Sequence, residues 1–316
     1  MRRTTMAQPA ELCLDAATGL SLGGREEQED AVLSDVLQDG GAGIVVLADG
    51  LGGHVAGAVA SRIAVSTALS ELVGQRDARG RLGPHIPDRL IAAAVSANHA
   101  ILAHANSHPE TAGMGATLLI AVVQDARLWW LSIGDSPFYL LRARRPRLLN
   151  EIHSLARQFD FLASVGEMDP KIAACHPDRS CLTSALGCTL LRQVDCPDCG
   201  IDLIPGDVLL AASDGILTLP EASIGDAVAA TPRSTASDLV ERLLRRVEAA
   251  EAAEQDNLSV AVLRVVPAVA GAGYPRPEWL RRLGFVSGRG PARLGQALRR
   301  LRQSGCAAPE RAVPPK

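Results

Sequence analysis

Short apolar runs, bounded by glycine, proline or charged turns, alternate along the chain with longer segments of helical periodicity. The short runs predict β-strands. They cover residues 12–22, 31–37, 44–47, 116–123, 128–133, 138–141, 208–212 and 258–266. The longer segments carry apolar residues three or four positions apart and predict helices. They cover residues 55–74, 87–105, 221–230 and 234–252.

Two stretches between these elements shape the predicted architecture. Short turns join the strands over 116–123, 128–133 and 138–141, which predicts an antiparallel meander. Residues 151–180 mix polar residues with glycine and proline, so we expect an irregular excursion from the core. His153, near its start, is expected on a loop surface, with a position facing a functional site as the alternative.

The composition provides ample apolar material for a core. The chain has 316 residues, 47% of them hydrophobic, enough for one large domain or two small ones. No apolar run reaches the ~18 residues of a membrane span, and the N-terminus lacks the apolar stretch of a signal peptide. Seven cysteines, an odd number without a pairing pattern, favour a reducing compartment. We therefore predict a cytoplasmic protein without a membrane span.

Charge divides the chain into an acidic body and a basic tail. Residues 267–316 hold ten Arg and Lys against two Glu, a net charge of +8. Because the whole chain has a net charge of −3, residues 1–266 must carry −3 − 8 = −11. This predicts one domain over 1–266 and a basic, Pro/Gly/Arg-rich, partly disordered tail over 267–316. Residues 294–301 could form a short basic helix there. An acidic body is a poor nucleic-acid binder, so no nucleic-acid partner is expected.

Aspartates stand at the ends of four predicted strands, each beside a glycine or a short polar turn. They are Asp49, Asp135, Asp214 and Asp256. A single Asp-Gly is usually a turn, but four at the ends of buried strands can converge at one sheet edge. Clustered carboxylates repel, and a cation removes that cost. Carboxylates with the unshielded carbonyl of Gly50 offer oxygen ligands, which favour Mg²⁺ or Mn²⁺.

The loop over residues 23–30 packs an arginine and several acids together. It can be a solvated charged turn. Alternatively Arg25 binds an anion, since its guanidinium can grip two phosphate oxygens, while Glu29 and Asp30 act at a metal. Two ions ~3.5–4 Å apart can hold a hydroxide and orient a phosphoryl group for in-line attack.

Six short motifs, in this order, together resemble the bacterial form of the metal-dependent type 2C Ser/Thr protein phosphatases, the PPM family. The resemblance spans about residues 12–266. The motifs are Arg25-x-x-x-Glu29-Asp30, Asp49-Gly50-Leu51-Gly52-Gly53-His54, Met114-Gly115-Ala116-Thr117, Gly134-Asp135-Ser136, Ser213-Asp214-Gly215 and Asp256-Asn257-Leu258-Ser259-Val260.

The resemblance implies an α+β fold, a four-layer α-β-β-α sandwich of two mostly antiparallel sheets flanked by helices. It implies metal-dependent hydrolysis of phosphoserine and phosphothreonine in proteins, in a cytoplasmic signalling role that reverses a Ser/Thr kinase. Two core Mn²⁺ or Mg²⁺ ions and a third, weaker ion are expected. The expected partners are phosphorylated proteins, a kinase and its substrates, and a monomer is expected.

The resemblance also implies roles for individual residues. Asp49 would bridge two ions, and Gly50 would give its carbonyl to one of them. Asp214 and Asp256 would bind the other ion. Glu29 would act on the second metal through water, and Asp30 would orient a water held by the metal. Asp135 and Asp214 would bind the third ion. Arg25 would bind the substrate phosphate.

Three positions depart from the family pattern. Gln28 stands where Asn is usual, Pro137 replaces an Arg, and Leu51 replaces the His that eukaryotic relatives carry. These departures motivate an alternative, a catalytically weak or silent phosphoprotein-binding module on the same fold. A metal-dependent nuclease is opposed by the acidic body.

Two further motifs receive separate predictions. His54 is expected either beside the site or in helix packing. Cys196 and Cys199 form a lone C-x-x-C, which favours structural thiols over a zinc site.

Overall fold

The computed structural model describes residues 12–37, 41–53, 55–229, 234–250, 252 and 255–267. His54 and the tail beyond Pro267, including the predicted basic helix over 294–301, lie outside the described residues. The predictions for them, and the division of the chain near 267, stay predictions.

Twelve strands and six α-helices follow one another along the described residues. The strands are β1 (Leu12–Ser21), β2 (Ala31–Val36), β3 (Gly43–Ala48), β4 (Gly50–Leu51), β5 (Gly115–Ala116), β6 (Leu118–Gln124), β7 (Arg127–Ile133), β8 (Phe138–Arg142), β9 (Arg145–Leu148), β10 (Ile201–Asp202), β11 (Val208–Ala212) and β12 (Leu258–Pro267). The α-helices are α1 (Val55–Gly74), α2 (Ile86–Ser107), α3 (Ala156–Ser164), α4 (Pro170–Ala174), α5 (Glu221–Ala229) and α6 (Ala236–Glu248).

The strands form two five-stranded antiparallel sheets and one small pair. The first sheet has the order β1-β12-β11-β8-β9, and the second has β10-β7-β6-β3-β2, while β4 pairs with β5. The two sheets pack face to face around a buried apolar layer to which β3, β6, β7, β8, β11 and β12 contribute. Apolar residues cover both faces of β3, which explains its uninterrupted apolar run.

Helices cover the two outer faces of the sheet pair. The α1 and α2 helices pack their buried alanines and leucines on the second sheet. The α5 and α6 helices pack on the first sheet through residues that include Leu239 and Leu243. A capping box between Thr235 and Asp238 begins α6. The predicted α+β, four-layer α-β-β-α sandwich is confirmed.

The structure corrects two predictions about the middle of the chain. The meander is wrong because β8 leaves the sheet of β6 and β7 and pairs with β11 and β9 in the other sheet. The excursion over 151–180 is not wholly irregular, since it contains α3 and α4. The Asp169 side chain caps α4 by accepting a hydrogen bond from the Lys171 N–H at 2.7 Å. Asp169-Pro170 is a helix start signal, but the mixed polarity of the segment did not indicate a helix.

Among the described residues, α1 is long and apolar enough to span a membrane by length and composition. Half of that window is buried inside the protein, and nine residues of the helix are buried in all. A core helix of a sandwich meets the same criterion, so this finding argues only weakly for a membrane span.

The strand register brings the candidate residues to one edge of the sandwich. In the second sheet Ala31 pairs with Ala48, and Leu118 pairs with Ile133. In the first sheet Ser21 pairs with Leu258. The loops that follow β1, β3, β7 and β11, and those that precede β2 and β12, therefore all open at this edge.

Candidate metal centre

Asp49 leaves the end of β3 with its backbone fixed on both sides. Its N–H donates to Thr117 Oγ1 at 2.8 Å, and its carbonyl accepts from the Thr117 N–H at 2.8 Å. The Thr117 hydroxyl is fully buried and lies 2.9 Å from the Ser136 hydroxyl. The backbone of Asp49 is thus held by the residue between β5 and β6 and, through the Thr117 hydroxyl, linked to the turn that carries Asp135.

Asp30 is buried just before β2, with 4% of its surface exposed. Its Oδ2 accepts from the Ser213 hydroxyl at 2.6 Å. Its N–H donates to Gln28 Oε1 at 2.9 Å, while Gln28 Nε2 donates to the Ser21 carbonyl at 2.9 Å. The longer side chain of Gln28 therefore ties the end of β1 to the start of β2, and the departure from Asn leaves Asp30 well held.

Asp214 follows β11 at the start of a short 3₁₀ helix (Asp214–Thr218). Its Oδ1 is buried and has no hydrogen-bond partner among the described residues. A buried carboxylate oxygen without a donor is costly unless a cation compensates it. This oxygen of Asp214 is therefore the observation that best fits a cation at this edge.

Asp135 sits in the turn after β7, which the neighbouring segment holds in place. The His153 N–H donates to the Gly134 carbonyl at 2.9 Å, and His153 Nδ1 accepts from the Gly134 N–H at 3.2 Å. His153 is 4% exposed, so the prediction of a loop-surface position is wrong. Burial lowers its pKa, which favours the neutral ring that this acceptor role requires. Asn150 also donates to the Ser136 carbonyl at 3.0 Å.

Glycines allow the close approach of backbone and carboxylate beside Asp49. A Cβ on Gly50 would lie 2.1 Å from the Gly57 carbonyl oxygen and 2.7 Å from the Glu29 carbonyl oxygen. A Cβ on Gly57, in the first turn of α1, would lie 2.0 Å from Glu29 Oε2. Glu29 thus packs against α1 close to Gly50, and its N–H donates to Asn257 Oδ1 at 2.8 Å.

The pKa values of four aspartates show that the carboxylates have converged. Burial first, then the charges of Asp30, Asp214, Asp135 and Asp256, hold the pKa of Asp49 well above its usual range. Burial raises the pKa of Asp30 to about 6, against the Ser213 hydrogen bond, and burial with the charge of Asp214 raises the pKa of Asp135 to about 7. Burial and the Asp256 charge raise the pKa of Asp214, while Arg25 opposes the rise.

Arg25 occupies an unexpected position. Its Nη2 donates to Asp256 Oδ2 at 2.7 Å, and the exposed fractions of the two side chains are 56% and 42%. The other oxygen of Asp256, Oδ1, accepts from the Asn257 N–H at 2.7 Å. The predicted phosphate-binding residue is therefore paired with a predicted metal ligand.

Within the described residues, no three His, Cys, Asp or Glu side chains are already arranged to hold a metal ion. The expected ligand set also includes the backbone carbonyl of Gly50. The carboxylates share one region without closing on one point, as mutual repulsion favours.

The donors at this edge nevertheless fit a hard divalent cation. They are oxygen atoms only, one of them lacks a partner, and their mutual charges raise one another's pKa. These are the properties of a site that Mg²⁺ or Mn²⁺ would stabilise. Asp49, Gly50, Asp135, Asp214 and Asp256 are the residues present to hold such ions, with Glu29 beside them.

Several supporting residues were not identified from the sequence as parts of the site. Thr117, Ser213 and Asn257 lie in the quoted motifs without an assigned role, and His153 was placed on the surface. Each acts through hydrogen bonds between segments distant in the chain, which no local pattern reports. The motif positions of Thr117, Ser213 and Asn257 were the available signal.

Comparison with known proteins agrees with this geometry. The family profile described as Protein phosphatase 2C matches residues 23–255, and the chain belongs to that family.

Particular relatives share much of the chain. The chain is 35% identical over 185 residues to the serine/threonine phosphatase stp of Listeria innocua. The aligned residues cover 57% of this chain and 69% of that protein. The crystal structure of the Mycobacterium tuberculosis serine/threonine phosphatase PstP/Ppp is 28% identical, with a TM-score of 0.66 over 80% of this chain and 99% of that one. The PstP catalytic domain in complex with two manganese ions, also 28% identical, has a TM-score of 0.65 over 81% of this chain and 99% of that one.

Proposed function

We propose that this chain is a protein-serine/threonine phosphatase. It hydrolyses phosphoserine and phosphothreonine with water, releasing the hydroxyl side chain and inorganic phosphate. The observation that carries the proposal is that five aspartates, from loops far apart in sequence, share one edge of the sandwich. There Asp49 lies within the charge of the other four, and Asp214 Oδ1 has no hydrogen-bond partner among the described residues. Membership of the family supports the same reaction.

Mn²⁺ or Mg²⁺ is the proposed cofactor. Asp49 and the Gly50 carbonyl would hold one ion, and Asp49, Asp214 and Asp256 would hold a second. Glu29, expected on the second ion through water, packs beside Gly50, so we assign it to the Gly50 ion instead. Asp135 and Asp214 would hold a third, weaker ion. When bound, these ions supply Lewis-acid polarisation of the phosphate and an activated water.

The chain's own residues position the reactants. Asp30, held by the Ser213 hydroxyl, accepts a hydrogen bond from the attacking water and orients it. Arg25 binds the non-reacting phosphate oxygens once its guanidinium turns from Asp256, as an Arg fork suits a tetrahedral anion. A preorganised donor such as the Arg25 guanidinium stabilises the negative charge that develops on the phosphate oxygens in the transition state.

The biological setting is also proposed. The proposed substrates are phosphorylated proteins, in line with the serine/threonine phosphatases among the relatives, and a Ser/Thr kinase is the enzyme whose product this reaction removes. Cytoplasmic location is proposed from the cysteine usage, and a monomeric state is proposed with it.

Hydrolysis of p-nitrophenyl phosphate with Mn²⁺ tests the proposal. Activity is expected to require the metal, to disappear with EDTA, and to fall about 100-fold or more in Asp49→Asn and Asp214→Asn. Asp226→Asn, an exposed change on α5, is the matched control and should retain activity. Phosphoserine and phosphothreonine peptides should be cleaved in preference to phosphotyrosine peptides.

The alternatives make different predictions in the same assays. Binding of a phosphopeptide without turnover in Mn²⁺ would support the silent module and contradict the hydrolase. Mn²⁺-dependent cleavage of DNA, with no phosphate release from peptides, would support the nuclease.

A further inference from the structure

Arg25 and Asp256 form an ion pair, and the backbone of the loop that carries Arg25 favours it. The Gly24 N–H donates to the Gln255 carbonyl at 2.8 Å. A Cβ on Gly23, whose φ is +62°, would lie 2.3 Å from the Asp256 carbonyl oxygen. The backbone of this loop is therefore packed directly on the segment that carries Asp256, which places the guanidinium within reach of the carboxylate.

Both oxygens of Asp256 already accept a hydrogen bond. Oδ2 accepts from Arg25 and Oδ1 accepts from the Asn257 N–H, each at 2.7 Å. Asp214, by contrast, has a buried oxygen for which the described part of the chain provides no hydrogen-bond donor. The charge of Arg25 also reaches Asp214, where it opposes the rise in pKa. Arg25 thus supplies part of the positive charge that this edge requires in the metal-free protein.

We propose that Arg25 is a reversible latch on Asp256 that couples metal loading to phosphate binding. This inference rests on the proposed function of the site. An ion that uses Asp256 must compete with the guanidinium, since two cations on one carboxylate repel. A phosphate that draws Arg25 away removes this competition, so phosphate and the second metal ion strengthen each other's binding through Arg25.

The coupling has a limited size and a fixed symmetry. Both partners are about half exposed, and exposed ion pairs change equilibria by about twofold to fivefold. Linkage requires that phosphate strengthen metal binding by the same factor as the metal strengthens phosphate binding. A latch of this strength yields readily to ligand.

Titration calorimetry of the full chain with MnCl₂ tests the latch without measuring activity. Arg25→Ala is expected to bind the weaker core Mn²⁺ about threefold more tightly than the wild type, because Asp256 is released. Arg62→Ala, which removes the same charge from an exposed position on α1, is the control and should bind Mn²⁺ as the wild type does. Equal affinity in the wild type and Arg25→Ala would overturn the proposal.

Inorganic phosphate provides the second measurement. Saturating phosphate should lower the Mn²⁺ dissociation constant in the wild type by a factor about three times larger than in Arg25→Ala. Direct attraction between phosphate and metal is present in both proteins, so the ratio isolates the contribution of Arg25. Identical factors would overturn the coupling.

A double-mutant cycle separates the ion pair from long-range repulsion. In an Asp256→Asn background, Arg25→Ala should leave the remaining Mn²⁺ affinity within about 1.5-fold, because the carboxylate partner is gone. A tightening that persists in this background would overturn the latch. If the wild type binds Mn²⁺ and hydrolyses phosphopeptides but these differences are absent, the latch alone fails. If it binds no Mn²⁺, the proposed function fails first.

Discussion

The carboxylates of this edge depend on neighbours that carry no charge. Thr117 holds the backbone of Asp49 from both sides, and Ser213 holds the side chain of Asp30. Gln28, which stands where Asn is usual in the family, keeps its contacts to both flanking strands. Its extra methylene is accommodated because its amide still reaches the Asp30 N–H and the Ser21 carbonyl. At the scale of the residue, the site consists of these hydrogen bonds as well as of its acids.

Thr117→Val is expected to impair the site while preserving side-chain shape. The change removes the buried hydroxyl that accepts from the Asp49 N–H, leaving that donor unsatisfied. We expect a loss of about 1–3 kcal/mol in unfolding free energy and weaker Mn²⁺ binding. Urea denaturation and calorimetry measure the two effects.

Thr117→Ser is the control for this prediction, because it keeps the hydroxyl. It should retain Mn²⁺ affinity even if the lost methyl lowers stability somewhat. Wild-type metal affinity in Thr117→Val would show that the hydrogen bond does not position Asp49.

The first turn of α1 belongs to the site as well as to the core. Gly57 lets Glu29 and the Gly50 backbone approach the helix more closely than any Cβ would permit. The rest of α1 packs alanines on the second sheet. One helix therefore combines a core face with a contact that sets the position of a candidate metal ligand.

Gly57→Ala is expected to damage metal binding because the new Cβ would lie 2.0 Å from Glu29 Oε2 and 3.0 Å from the Gly50 carbonyl carbon. Gly74→Ala, at the other end of α1, places its Cβ in open space. We expect Gly57→Ala to lose about tenfold or more in Mn²⁺-dependent turnover, as displaced ligand shells do, and Gly74→Ala to lose none. Turnover of p-nitrophenyl phosphate compares them, and equal activities would contradict the assignment.

The whole molecule concentrates negative charge at one end of the sandwich, and its stability should report this. In the metal-free protein the pKa values of Asp30 and Asp135 are raised to about 6 and 7. The folded state therefore binds more protons than the unfolded state between about pH 4 and 7, and stability falls as pH rises through that window. In EDTA we expect the free energy of unfolding to be about 2 kcal/mol lower at pH 8 than at pH 5.5, a figure reduced for solvent screening. Thermal unfolding at the two pH values measures the difference.

Two comparisons make this prediction specific. Asp135→Asn should flatten the pH dependence, since one of the raised groups no longer titrates. Saturating Mn²⁺ should stabilise the protein more at pH 8 than at pH 5.5, because ligands must be deprotonated. A metal-free protein that gains stability from pH 5.5 to pH 8 would contradict the pKa assignments.

The predicted division near residue 267 can be tested on the whole chain. The β12 strand ends at Pro267 and completes the first sheet, so a chain ending there keeps every described element. We expect it to keep p-nitrophenyl phosphate turnover within about twofold of the full chain, as removal of residues outside a folded domain allows. Loss of folding on truncation would show that the tail belongs to the domain.

Local pattern was sufficient for much of the architecture. The apolar runs located β3, β6, β11 and β12, and the periodicity located α1 over its full observed length, because burial of one face or both leaves its period in the chain. It located β8 but assigned it to the wrong sheet, because a turn of a few residues cannot reveal which sheet the next strand joins. It also missed α3 and α4, which bury little apolar surface and so leave little periodicity.

The identities and order of the acids were readable in the chain, since each stands where an apolar strand ends, and oxygen ligands select the kind of metal. Their convergence required the antiparallel register, which brings five loops to one edge. The supports from Thr117, Ser213 and Asn257, the burial of His153 and the pairing of Arg25 with Asp256 depended on folding too. Hydrogen bonds and charges act across a few ångströms in space, and partners such as Arg25 and Asp256, 231 positions apart, meet only after the sheets have packed.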